Sequence, residues 1–164
     1  MDFNDTKQEA EFRTEACAWL ALNAPRLRDS TCSDLQWAKK WEKKKFEGGW
    51  SCIHWPKQYG GKNSTTVEQI IFSQEESKYA VLQNYPCFNF GQGMVGPVLM
   101  AYGTEEQKRR YLPRIASGDE VWCQLFSEPC SGSDLAALRT KAVKEKDHWI
   151  INGQKIWSSF AHYS

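Results

Sequence analysis

The stretch Phe126-Ser127-Glu128-Pro129-Cys130-Ser131-Gly132-Ser133-Asp134-Leu135 gathers the residue types best suited to hold an anion or a polar ring edge. It follows an apolar, strand-prone run, turns at Pro129 and Gly132, and offers Ser133 and Asp134 as caps for a short helical turn. Hydroxyls and backbone N–H groups collected in such a turn form a concavity suited to a pyrophosphate or to the polar edge of a flavin. Taken alone, the same residues also describe a well-capped surface loop. Within it, Glu128 reads as a turn-stabilising carboxylate and Asp134 as a cap. Cys130 has no histidine near it in sequence to activate its thiol, so no nucleophile is assigned.

Other patterns with chemical potential are weaker. Gly91-Gln92-Gly93-Met94-Val95-Gly96 has the letters of a dinucleotide fingerprint, with Asp119 or Glu120 downstream as a ribose-binding acid. That fingerprint needs a strand before it and a second strand ending at the acid. Here Gly103-Thr104 opens another helix, and the extended run follows Asp119. The glycines therefore read as close helix packing or as a loop near a ligand. Gly60-Gly61-Lys62-Asn63-Ser64 lacks the first glycine of a phosphate-binding loop, Pro56 standing in its place. Six cysteines are widely and irregularly spaced, which reads as reduced thiols, and His54, His148 and His162 stand apart, so no metal site is expected from local motifs.

The elements that must position these residues fall into two groups. Four helix starts carry a hydroxyl residue followed three later by Glu or Gln: Thr6 with Glu9, Ser33 with Gln36, Thr65 with Glu68, and Thr104 with Gln107. Phe12, Ala16, Trp19 and Leu20 share one face of the first helix, which Pro25 limits. Leu35, Ala38 and Trp41 share a face of the second, which stops at Gly48-Gly49. Val67, Ile70 and Ile71 line the third. Beyond Gly118 the periodicity becomes extended, predicting strands at Val121–Phe126, Leu138–Val143 and Trp149–Ile151, with turns at Lys146-Asp147 and Asn152-Gly153. The expected fold class is α+β: an all-helical bundle over residues 1–118, then an incomplete antiparallel β-domain over 119–164. With at most three or four strands, that second part is expected to be truncated, to expose apolar edges and to associate through them.

Composition narrows the functional classes. The 164 residues carry 21 basic and 20 acidic side chains in dispersed order, so no broad cationic face for nucleic acid is expected. The cluster Lys39, Lys40, Lys43, Lys44 and Lys45 reads as a solvated helix face. No apolar run approaches the roughly 20 residues of a membrane span, and no secretory leader is evident; a cytoplasmic location is expected.

In order and spacing, a longer series resembles the acyl-CoA dehydrogenase family. It comprises Gly49-Trp50, Trp55-Pro56 with Tyr59-Gly60-Gly61, Gly96-Pro97, Tyr102-Gly103-Thr104 through Gln107-Lys108, Leu112-Pro113, Ile115 and Gly118. It continues with Ser127-Glu128-Pro129, Gly132-Ser133-Asp134, and Asn152-Gly153-Gln154-Lys155 with Trp157. The resemblance covers nearly everything from Gly48 onward. It implies FAD as cofactor, with Phe126 and Ser127 at the isoalloxazine edge, Gly132 and Ser133 against the pyrophosphate, and Trp157 and Ser159 flanking the reactive side of the ring. Ser133 is also a candidate for the acyl-CoA phosphates. Leu125 and Phe126 are bulkier than the family's usual residues there, and Cys130 replaces a usual glycine.

The implied reaction is α,β-dehydrogenation of an acyl-CoA thioester, as in fatty acid metabolism. A carboxylate base removes the α-proton while hydride leaves for the flavin, and an electron-transferring flavoprotein takes the electrons. The family's base lies in a C-terminal region, so it is expected beyond Ser164, and residues 1–164 alone are expected to be catalytically silent. A homodimer or homotetramer is the implied assembly. Acyl-CoA oxidases, nitroalkane oxidases and flavin monooxygenases share the fold and are the nearest alternatives. A non-catalytic helical interaction module is the alternative from another class.

Overall fold

Each of the four hydroxyl-x-x-Glu/Gln patterns opens a helix in the computed structural model, which describes residues 4–164. Thr6, Ser33, Thr65 and Thr104 each accept a hydrogen bond from the backbone N–H three residues on. Glu9, Gln36, Glu68 and Gln107 reach back to the cap's own N–H. Such caps satisfy donors that no helical carbonyl can reach, and each contributes about 1 kcal/mol. The helices are α1 (Lys7–Asn23), α2 (Asp34–Glu47), α3 (Thr66–Glu76) and, after a short α4 (Gly96–Tyr102), α5 (Glu105–Ala116). Gly49 takes φ +71°, the left-handed geometry that ends α2 where the two glycines predict.

Apolar packing in this region is dominated by indoles. Trp50 stacks on Phe72 with ring centroids 5.0 Å apart, Trp19 lies 5.6 Å from Trp41, and Ala16 and Leu20 of α1 are fully buried beneath them. A second cluster joins Trp55 to Leu112, Ile115 and Ala116 of α5. Gly96 is required there, because a Cβ at that position would lie 2.3 Å from the buried Trp55 ring.

The third helix departs from expectation. Ile71 is buried, but Val67 and Ile70 are 46% and 52% exposed, because α3 turns Ile71, Phe72, Glu75 and Glu76 inward. The carboxylates are tolerated because cations and donors meet them. Lys45 lies 2.6 Å from Glu42 and 3.3 Å from Glu76, and the Trp41 indole donates to Glu76 at 2.5 Å. Burial works against the Lys45 charge, yet the two carboxylates outweigh it and hold the ammonium above its ordinary pKa. Arg13 and Lys78 pair in the same way with Glu75.

The dinucleotide fingerprint is absent as a structure. A 3₁₀ turn at Pro86–Phe88, not a strand, precedes Gly91, and Phe90–Val95 form a π-helical turn leading into α4. A Cβ on Gly91 would lie 3.1 Å from Ile115, so close packing accounts for that glycine.

The chain as a whole is α+β as expected, with differences in detail beyond Gly118. Residues 121–127 form neither helix nor strand and join no sheet among the described residues. Val121 instead joins Ala38, Cys87 and Phe88 in a helical-region cluster, and Trp122 stands edge-on to Tyr111, 5.4 Å away. Packing on the helices, not a ladder, places this stretch. The sheet is a two-stranded antiparallel hairpin, β1 (Lys141–Glu145) and β2 (His148–Asn152), in register from Lys141 opposite Asn152 to Glu145 opposite His148. Lys146-Asp147 make its turn, Lys146 with φ +51°. The strand expected from Leu138 starts only at Lys141, because the Arg139 and Thr140 N–H groups donate to the Glu128 carboxylate. Asn152-Gly153 is not a hairpin turn: a Cβ on Gly153 would lie 2.1 Å from Thr140 Oγ1, so glycine there permits close approach of two chain segments.

Candidate functional site

Glu128 organises the loop that carries the candidate residues. Its backbone exchanges two hydrogen bonds with Ser131, of 2.7 and 3.1 Å, closing Pro129-Cys130 into a tight turn. Its carboxylate is buried and accepts three more bonds: from Arg139 N at 2.7 Å, Thr140 N at 3.0 Å and Lys155 Nζ at 2.8 Å. The Lys155 ammonium first, with the Thr140 and Arg139 donors, holds the carboxyl down to about 2. Glu128 is therefore the turn-stabilising carboxylate its sequence context indicates.

Lys155 also donates to the Phe126 carbonyl at 2.9 Å, and Ile156 N donates to the Ser127 carbonyl at 2.9 Å. These bonds lay the 155–156 segment against the start of the loop. Next along the chain, Trp157 is 86% exposed with φ +56°, and Ser159 N donates to its carbonyl at 3.0 Å. Phe160 then packs against the cluster of Ala38, Cys87, Phe88 and Val121. Trp157 and the exposed Ser159 thus form an arm tethered at Lys155-Ile156 on one side and at Phe160 on the other.

Ser133 and Asp134 do not cap the Leu135–Ala137 turn with their side chains. Asp134 has φ −81° and ψ 82°, away from the extended geometry a cap needs, and the Ser133 carbonyl accepts Leu135 N instead. The Ser133 hydroxyl is left exposed to solvent, while Ser131 Oγ donates to the Asp134 carbonyl. Gly132 is exposed too, and a Cβ there would meet nothing within 4 Å. No contact among the described residues requires glycine at 132. The bare backbone and neighbouring hydroxyl fit a bulky anion approaching closely from outside.

Phe126 faces two features at once. Besides starting the loop, it borders an apolar cleft of about 320 Å³ whose walls include Phe90, Met94, Val98 and Leu99 from the π turn and α4, with Trp122 and Leu125 opposite. Sequence reasoning did not identify this wall. Its signal was available in the Gly91–Gly96 pattern, where apolar residues flank glycines that let the helices close up, and π turns often occur at functional sites. Phe126, Ser127 and the Trp157 arm are brought together directly through Lys155 and Ile156. Gly132 and Ser133 join them through the Glu128–Ser131 bridge.

Among the described residues no cluster of three or more His, Cys, Asp or Glu could hold a metal ion, and the six cysteines are unpaired. Among the described residues no helix is long and apolar enough to cross a membrane.

Comparison with known proteins gives this arrangement a context. Residues 6–119 match the acyl-CoA dehydrogenase N-terminal domain and residues 123–164 the acyl-CoA dehydrogenase middle domain. The acyl-CoA dehydrogenase IpdE1 of Mycobacterium tuberculosis is 36% identical over 166 aligned residues, which cover 94% of this chain and 42% of that protein. The ChsE4–ChsE5 complex of Mycobacterium tuberculosis superposes with a TM-score of 0.73 at 37% identity, covering 100% of this chain and 42% of the other. A steroid acyl-CoA dehydrogenase, Tcur3481–Tcur3483, does so with a TM-score of 0.68 at 33% identity, covering 97% and 41%. The chain therefore spans less than half the length of these relatives. With both domain matches falling on the helical region and on the segment that carries the Glu128 loop, the chain belongs to the acyl-CoA dehydrogenase family.

Proposed function

We propose that the protein is an FAD-dependent acyl-CoA dehydrogenase that introduces an α,β double bond into an acyl-CoA thioester. The observation that carries this reading is Gly132: its Cβ position is open space, beside an exposed hydroxyl, on a loop pinned by Glu128. The Gly132 backbone and the Ser133 hydroxyl hold the pyrophosphate, and Ser133 is also the candidate for the acyl-CoA phosphates. Ser127 and Ser159 would offer donors to the polar edge of the ring, Trp157 would supply a flat wall, and Phe126 borders both the loop and the apolar cleft. When bound, the flavin accepts the β-hydrogen as hydride while a carboxylate base takes the α-proton. That base is assigned to none of the residues described. The cleft, walled by Phe90, Met94 and Val98, excludes water from the acyl chain.

The rest of the reading follows the family: two domains dividing near residue 119, an electron-transferring flavoprotein as acceptor, a cytoplasmic place in fatty acid metabolism, and a homodimer or homotetramer. Two further points come from the neighbours. Likeness to a steroid acyl-CoA dehydrogenase and the mainly apolar cleft wall favour a bulky polycyclic acyl group as a second substrate reading. Likeness to a protein solved as a two-component complex makes pairing with a different chain the alternative assembly. Comparing kcat/KM for straight-chain and steroid-bearing thioesters separates the substrates, and fast reoxidation by oxygen would mark an oxidase instead.

The test of the cofactor assignment is flavin content. In protein expressed from its own gene, Gly132→Val is expected to lower the flavin retained through gel filtration about tenfold, with helical stability unchanged. Equal flavin content in the two proteins overturns the assignment.

A further inference from the structure

The peptide linking Phe126 to Ser127 is held by a charge. Its carbonyl accepts from Lys155 Nζ at 2.9 Å, and the same ammonium lies 2.8 Å from Glu128 Oε1. The Lys155 side chain is 19% exposed and bonds a buried carboxylate, so this ammonium is held in one place. The peptide is trans, and in a trans peptide the C=O and N–H point in opposite directions. With the Phe126 carbonyl turned toward Lys155, the Ser127 N–H points away from it. It has no hydrogen-bond partner among the described residues. Glu128 keeps the ammonium in place, and its own position is fixed independently by the Arg139 and Thr140 N–H groups at the start of β1.

We propose that Lys155 is a positioning residue that orients the Phe126–Ser127 peptide, so that the Ser127 N–H is presented to an acceptor on the polar edge of the bound flavin. The inference rests on the flavin reading above. Lys155 need not touch the cofactor: it acts through the peptide plane, with Glu128 as its counter-charge. Replacing it frees the plane to rotate, and rotation turns a carbonyl toward an edge that needs a donor.

The test uses protein expressed from its own gene, in wild-type, Lys155→Met, Lys155→Arg and Glu128→Gln forms. The FAD dissociation rate and the visible flavin absorption band, which reports hydrogen bonding at the ring edge, are measured with apoprotein melting as a folding control. Lys155→Met is expected to release FAD about tenfold faster with a displaced band, while Lys155→Arg, which restores a charged donor, stays near wild type. Glu128→Gln loosens the hairpin but leaves the ammonium able to reach the carbonyl, so it should displace the band less than Lys155→Met does. A merely structural role predicts the reverse order, because Glu128 makes more bonds to the hairpin. Should Lys155→Met fail to fold, Lys155→Gln asks the same question with an uncharged donor of shorter reach. Wild type that holds FAD, with a variant that keeps the same rate and band, overturns this inference and leaves the flavin reading standing. Wild type that holds no FAD overturns both.

Discussion

Trp50 and Trp149 are the same residue under opposite conditions. Trp50 is 3% exposed, stacked on Phe72 and flanked by Trp19 and Phe12; Trp149, on β2, is 61% exposed. The contrast holds for the regions around them. Between α1 and α5 the chain is ordered by apolar burial, and even its inward-turned carboxylates are met by Lys45, Arg13 and Trp41. Between Leu125 and Ser159 every residue of both strands is exposed, as are Phe126 and Trp157. What orders that region is a handful of directional bonds converging on Glu128. Burial tolerates small shifts of each contact, whereas a hub of charge-assisted bonds fixes the angle of particular peptides. The second region is thus suited to aiming backbone groups at a ligand, with exposed aromatic faces for other surfaces to cover.

The sharpest way to break the comparison is to remove each tryptophan and see whether the costs differ. Trp50→Ala leaves a void among Phe12, Trp19 and Phe72 and is expected to lower the unfolding free energy by about 3–5 kcal/mol, read by denaturant titration of the helical circular dichroism signal. A loss under about 1 kcal/mol would show that the aromatic cluster collapses around the gap.

A smaller effect, confined to the loop, follows from acid. The Glu128 carboxyl is held down to about 2 from an ordinary 4.5, so its contribution to stability is complete above about pH 4.5 and is lost as the pH falls through about 2. The groups facing it are Lys155 and the Arg139 and Thr140 amides. The amide proton shifts of Arg139 and Thr140 should therefore titrate together near pH 2. A common midpoint near 4.5 would mean the carboxylate is not held by these bonds.

The smallest effect is expected at Trp149. Trp149→Ala should change the unfolding free energy by less than about 0.5 kcal/mol, since an exposed side chain loses little contact. A loss comparable with that at Trp50 would show that a surface outside residues 4–164 covers the hairpin, and the contrast between the regions would then belong to these residues alone.

The sequence by itself determined whatever depends on neighbours three or four residues apart. All four capping boxes formed, α1 and α2 buried the faces that carry Ala16, Leu20, Ala38 and Trp41, and the Lys146-Asp147 turn joined two strands. The loop was legible too, because Pro, Gly and hydroxyl residues mark a turn wherever they cluster. Tertiary structure alone decided which side of α3 is buried, since Glu75 and Glu76 could turn inward only where Arg13, Lys78 and Lys45 came to meet them. It also decided that 121–127 would pack on α5 instead of entering a sheet, that Gly153 serves a close approach to Thr140, and that the π turn and α4 form one wall of a cleft. Most of all it decided the role of Glu128. Its partners lie 11, 12 and 27 residues away, so no local pattern marks them. A hydrogen bond acts over about 3 Å, and only the folded chain brings such distant groups within that reach.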